Sequence, residues 1–168
     1  GRSELLAGPL NRTTMPGYGY FLESGQTTWP EHWQPRTSNI HTCYTGIASW
    51  FTKSLAGIRP DPAHPGFQQF LIQPVLADGI SHARATTGSP YGVISSEWRR
   101  NGDALTLEVE IPPNSNATIH LPAKDAASVT ESGKAIDKAE GVKFLRFENN
   151  AAVYAAGSGR FRFESKVR

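Results

Sequence analysis

The residues best suited to chemistry lie in one short stretch, Gly25-Gln26-Thr27-Thr28-Trp29-Pro30-Glu31-His32-Trp33-Gln34. It sets a carboxylate between two indoles, in a loop that precedes a helical pattern. An indole face stacks on the apolar face of a pyranose ring, and a carboxylate beside it can take a proton from water. Burial against indole also tunes the acidity of such a carboxylate. Together these are the ingredients of glycoside hydrolysis. The same residues serve equally as an aromatic cluster packing the end of a larger helical body, and taken alone they leave both readings open.

Other reactive side chains add less. His41 stands at the head of a helical pattern, where it could donate to a sugar hydroxyl or simply be capped and bonded within the protein. Cys43 falls on an apolar stripe and reads as core rather than nucleophile. His32, His41, His64, His82 and His120 show no paired metal-ligand spacing, so no metal site is expected. There is no nucleophile elbow, phosphate-binding glycine loop or dinucleotide fingerprint, and no cofactor is implied.

These groups must be positioned by two kinds of chain. Up to about residue 60 the sequence is rich in Trp, Tyr and Gly. Between residues 40 and 56, Ile40, Cys43, Tyr44, Ile47, Ala48, Trp50, Phe51 and Leu55 recur at three- and four-residue spacing. That predicts a helix with Asn39 as N-cap and Gly57 just past its end. Shorter helices are expected over residues 17–24, ended by Gly25, and around residues 3–7. Two or three such helices cannot close a core, so this part reads as a piece of something larger. From about residue 67 the period becomes two. Residues 67–75, 92–100, 104–111, 117–121, 151–156 and 160–164 read as strands. Turns are expected at Asn101-Gly102-Asp103 and Ser132-Gly133-Lys134. Six to nine short strands in about 100 residues suggest an antiparallel sandwich. The proline-rich stretch from Arg59 to Gly66 is a stiff junction. The predicted organisation is therefore residues 1–60 as the helical part and residues 61–168 as the β-sandwich.

Composition narrows the function classes. The 168 residues carry a net charge of only +2, with basic residues dispersed among acids, which argues against a nucleic-acid partner. Hydrophobic residues make up 38%, enough for a core. No apolar run approaches the roughly 18 residues of a membrane span, so no membrane partner is expected. A single cysteine excludes an internal disulfide but leaves periplasm and cytoplasm both open. The first residues do not resemble a signal peptide; in an exported protein the signal would lie upstream or have been removed.

Several motifs in series carry a family resemblance. Thr27-Thr28-Trp29-Pro30-Glu31-His32-Trp33 resembles the Trp-Glu loop of bacterial α-L-rhamnosidases. Pro16-Gly17-Tyr18-Gly19-Tyr20 is similar to the segment preceding that loop. Leu55-Ala56-Gly57-Ile58-Arg59-Pro60-Asp61-Pro62 with Pro65-Gly66-Phe67 resembles the family's hinge, and Ser89-Pro90-Tyr91-Gly92 with Ser96-Glu97-Trp98 one of its strands. The resemblance implies the final helices of a six-hairpin α/α barrel followed by an antiparallel β-sandwich. It also implies hydrolysis of terminal α-L-rhamnosyl bonds, in oligosaccharides, polysaccharides or other glycosides, with inversion. Inversion needs two carboxyl groups about 6.5–9.5 Å apart, one acid and one base that activates water. By the resemblance Glu31 is the base, His41 contacts the sugar, and Trp29 and Trp33 wall the rhamnose pocket. The acid belongs to an earlier part of the barrel, outside this chain. Pro30 and Ile40 depart from the family's usual residues, and the loop from Glu31 to His41 is shorter than common.

With one catalytic carboxylate of two, the chain is expected to be inactive alone and to dock its helices on the preceding part of the same enzyme. The competing reading is a non-catalytic module, in which the sandwich binds carbohydrate or only buttresses the barrel.

Overall fold

The computed structural model describes residues 4–34, 38–42 and 45–168. Cys43 and Tyr44, expected on the apolar stripe, lie outside the described residues, as does Ser3. The chain divides into two compact units, Gly1–Trp50 with Ala77–Gly79, and Phe51–Leu76 with Ile80–Arg168.

In the first unit, helix α1 spans Glu4–Asn11 and α2 spans Tyr18–Glu23. Glycine is required at the start of α2 because the chain crosses close by: a Cβ on Gly17 would sit 2.4 Å from the Arg12 carbonyl oxygen, and one on Gly19 2.8 Å from it. The helix ends in a Schellman pattern. The Gln26 amide donates to the Phe21 carbonyl at 2.8 Å and the Gly25 amide to Leu22 at 3.0 Å, with Gly25 at φ +74°.

The long helix expected over residues 40–56 is much shorter. Helix α3 covers only Ile47–Trp50 and continues as a π-helical turn, Phe51–Leu55. Asn39 lies well before the start of α3 at Ile47, and Ile40 is 80% exposed. The cause lies in the polar residues among the apolar ones. The Ser38 hydroxyl donates to the Ile40 carbonyl at 2.9 Å, and the Thr45 hydroxyl donates to the Thr42 carbonyl at 2.7 Å. Such local side-chain bonds stabilise turns at the expense of helix. Of the predicted apolar stripe, Ile47, Trp50 and Leu55 are buried, while Ile40, Ala48 and Phe51 are exposed.

The second unit is a two-sheet sandwich. One sheet has the order β1-β2-β6-β10-β9, where β1 is Ile58–Pro60, β2 Gln69–Ile72, β6 Asn116–Pro122, β9 Val142–Glu148 and β10 Ala151–Ala156. The other runs β3-β4-β5-β11-β7-β8, with β3 His82–Ser89, β4 Gly92–Asn101, β5 Ala104–Ile111, β7 Thr130–Glu131, β8 Lys134–Ala135 and β11 Gly159–Lys166. Pairing is antiparallel except between β2 and β6, which run parallel with Phe70 opposite Ala117. The period-two residues fill the core: Leu105, Leu107, Val109, Ile111, Phe161 and Phe163 are buried beside Trp98, Ile119, Leu121 and Tyr154. Glu108, Arg160 and Arg162 point to solvent from the same strands. Both predicted hairpin turns are present, between β4 and β5 and between β7 and β8.

The π-helical turn is held by the sandwich through its main chain. The carbonyls of five successive residues each accept from a different donor: Lys53 from Arg59 Nε at 2.7 Å, Ser54 from the Val75 amide at 2.9 Å, and Leu55 from Trp98 Nε1 at 2.7 Å. Ala56 accepts from Ser96 Oγ at 2.7 Å and Gly57 from the Gln73 amide at 2.8 Å. A helix end normally leaves its last four carbonyls without partners; here β1, β4 and the chain after β2 supply them. Gly57 has φ +80°, and a Cβ there would lie 2.3 Å from the Gln73 carbonyl carbon, so the position accepts only glycine.

Candidate functional site

The loop after α2 is pinned at two points. The Glu31 amide donates to the Ser38 carbonyl at 2.9 Å, and the His41 amide donates to the Trp29 carbonyl at 2.8 Å. The second bond makes neighbours of residues twelve positions apart in sequence. The consequence is a cavity of about 390 Å³ lined by Phe21, Gln26, Thr27, Thr28, Trp29, Ile40, His41, Thr42 and Thr45, with Leu22 at its rim. It combines an indole, an imidazole and several hydroxyls, which suits a ligand with one apolar face and many hydroxyl groups.

Of the four residues predicted for the site, the structure brings Trp29 and His41 to this cavity. Glu31 is partly exposed within the pinned loop, two residues from Trp29, and is not in the cavity lining. Trp33 is in an aromatic cluster. Its ring stacks on Phe21 with centroids 5.0 Å apart and an interplanar angle of 11°, and Tyr18 meets it edge-on at 5.9 Å. Trp29 contacts the same cluster edge-on, at 5.7 Å from Phe21 and 5.6 Å from Tyr18. The buried Phe21 thus supports both indoles. Sequence reasoning singled out the indoles but missed Phe21; its place three residues after Tyr18 in a glycine-flanked helix was the available signal.

A larger concavity of about 510 Å³ lies on the outer face of the six-stranded sheet. Its charges neutralise one another: Arg84 lies 3.5 Å from Glu97, Arg162 3.3 Å from Glu108, and Arg160 3.1 Å from Glu110. The face reads as a solvated ion-pair array. Among the described residues, no group of three or more His, Cys, Asp or Glu could hold a metal ion. No described helix is long and apolar enough to cross a membrane.

Short helices with an aromatic-backed cavity, followed by this sandwich, match two consecutive domain families. Residues 1–55 match the bacterial α-L-rhamnosidase six-hairpin glycosidase domain, and residues 57–136 the bacterial α-L-rhamnosidase C-terminal domain. The chain belongs to the bacterial α-L-rhamnosidase family, and its fold is the predicted one: helices of a six-hairpin domain followed by a largely antiparallel β-sandwich. The α-L-rhamnosidase of Streptomyces avermitilis is 31% identical over 92% of this chain, which corresponds to 15% of that protein. One from Formosa agariphila is 27% identical over 96% of the chain and 18% of its own length. The crystal structure of the Streptomyces avermitilis enzyme complexed with L-rhamnose superposes on 99% of this chain with a TM-score of 0.84 at 30% identity, covering 16% of that structure. The Dictyoglumus thermophilum α-L-rhamnosidase structure shares the fold, with a TM-score of 0.82 at 24% identity, 99% of this chain and 19% of that one. The chain therefore spans less than a fifth of the length of these relatives.

Proposed function

We propose that this chain contributes the general base and part of the sugar pocket of an inverting α-L-rhamnosidase. Glu31 activates water, and the general acid comes from a preceding part of the same protein. The supporting observation is the doubly pinned loop, which carries Glu31 two residues from Trp29, and Trp29 lines a cavity with His41. In this reading Trp29 presents a stacking face to the rhamnosyl ring, His41 donates to one of its hydroxyls, and Trp33 closes the pocket from behind through Phe21. By sequence residues 1–60 complete the catalytic domain and residues 61–168 form the sandwich, but β1 at Ile58–Pro60 pairs with β2 and so counts with the sandwich. The turn at residues 51–57 belongs to the first by sequence order and to the second by its contacts. The substrate is a terminal α-L-rhamnoside; L-rhamnose in the Streptomyces avermitilis structure supports that choice of sugar.

The test is Glu31→Gln in the protein that carries this chain, assayed on an aryl α-L-rhamnoside. Loss of a positioned general base lowers kcat by a factor of roughly 10²–10⁴. NMR of the first-formed anomer of the released rhamnose checks inversion. Unchanged turnover in Glu31→Gln would remove Glu31 from the mechanism and favour the packing role that the stacking of Trp33 on Phe21 suggests.

A further inference from the structure

We propose that strand β9 is a self-complementary edge through which two copies of this chain associate antiparallel about a two-fold axis. The strand ends its sheet, with β10 on one side and, among the described residues, no strand on the other. It also concentrates exposed apolar surface: Phe144, Leu145 and Phe147 are 44%, 41% and 42% exposed within four residues. Long, apolar sheet edges are pairing sites unless blunted.

The order of side chains selects the partner. A bulge falls where Val153 opposite Arg146 is followed by Tyr154 opposite Phe144, leaving Leu145 as the extra residue. Residues three apart would normally face opposite ways along a strand. The bulge instead turns Phe144 and Phe147 to the same side, opposite Tyr154 and Ala152, while Lys143, Arg146 and Glu148 share the other side. When the strand is laid antiparallel on a second copy with Phe144 opposite Phe147, Lys143 falls opposite Glu148. Symmetry repeats both pairs. Those pairs then join residues of the same face, aromatic to aromatic and cation to anion, with Leu145 opposite Arg146 next to the axis. A slip of one residue sets Lys143 against Phe147 and Phe144 against Arg146, which pairs charge with ring and mixes the two faces.

The Glu148 carboxylate already accepts from Arg146 at 2.7 Å through Oε1, which leaves Oε2 for the lysine of the other copy. Lys143 is exposed and Glu148 partly so, and the ion pairs set register while the four phenylalanines supply attraction. An interface of two seven-residue strands falls at the small end of specific interfaces, and association is expected to depend on concentration.

The experiment is sedimentation equilibrium of the purified protein across a roughly hundredfold concentration range. The expected result is a mass rising from one protomer to two. Lys143→Glu places like charges opposite each other twice and weakens association by roughly tenfold or more. The double variant Lys143→Glu/Glu148→Lys restores it, and Phe147→Ser weakens it independently. Lys143 and Phe147 are exposed and Glu148 partly so, and circular dichroism confirms that each variant is folded. A single-protomer mass at every concentration overturns the proposal and leaves the edge bare or covered by another segment of the same polypeptide. Association indifferent to both Lys143→Glu and Phe147→Ser also overturns it.

Discussion

Tyr154 shows what a single polar atom does in this core. Its ring is fully buried, stacked on Phe163 at 5.8 Å and met edge-on by Phe144 at 5.7 Å, and its hydroxyl has no hydrogen-bond partner among the described residues. A buried hydroxyl without a partner forfeits its hydration and gains nothing in exchange. Tyr154→Phe should therefore leave stability unchanged or raise it by up to about 1 kcal/mol, measured by urea unfolding near neutral pH. Burial also pushes the phenol up to about 12. Above the ordinary value near 10 the unfolded chain ionises first, so stability present below that pH is lost as pH rises towards 12. Tyr154→Phe should lose less between about pH 9 and about pH 11 than the parent protein. At the candidate site, the residue types of the Trp29 to Trp33 segment were legible because a carboxylate flanked by indoles is uncommon outside ligand sites and tight aromatic clusters. Which indole faces the cavity was not legible. That depends on Phe21, which occupies one face of Trp33.

At the scale of elements, strands with one buried face announced themselves and edges did not. Strand β5 matched its predicted range because Leu105, Leu107, Val109 and Ile111 alternate with polar residues. Strand β3 carries His82-Ala83-Arg84-Ala85-Thr86-Thr87-Gly88-Ser89, with no large apolar side chain to mark a face. It is a strand because β4 pairs with it along its whole length. Strand β9 hid for another reason: its bulge breaks the period of two on which the reading rests. The helix over residues 40–56 failed at its start, where the Ser38 and Thr45 hydroxyls bond the local backbone. The end of that helix carries its own prediction. Trp98→Phe keeps an aromatic ring but strands the buried Leu55 carbonyl and leaves a void. It should cost about 2–4 kcal/mol in urea unfolding, against about 1–2 kcal/mol for Ser96→Ala. Equal and negligible effects would mean that these bonds are readily replaced by water.

For the molecule as a whole, acid is the condition that should loosen it. His120, on the outer face of the first sheet, is held below the ordinary histidine value, chiefly by burial and in part by the Arg146 and Arg59 charges, although Glu148 opposes the shift. The unfolded chain then takes up this proton first, so stability is complete above about 6.5 and declines as pH falls below it. Asp61 and Glu148 are held below the usual carboxylate range, by hydrogen bonds from His64 and Arg146 respectively, and their contribution is lost at still lower pH. Melting temperature should drop between about pH 7.5 and about pH 5.5, and His120→Gln should flatten that interval while leaving the more acidic loss in place. The grip on residues 53–57 has a different kind of consequence, for how the sequence can drift. Arg59, Trp98, Ser96 and the main chain at Gln73 and Val75 all bond carbonyl oxygens, which every residue possesses. The incoming turn is recognised by its backbone alone, so a library randomised at the outward-facing Lys53 and the half-buried Ser54 should yield many folded clones, while one randomised at Ser96 and Trp98 should yield few.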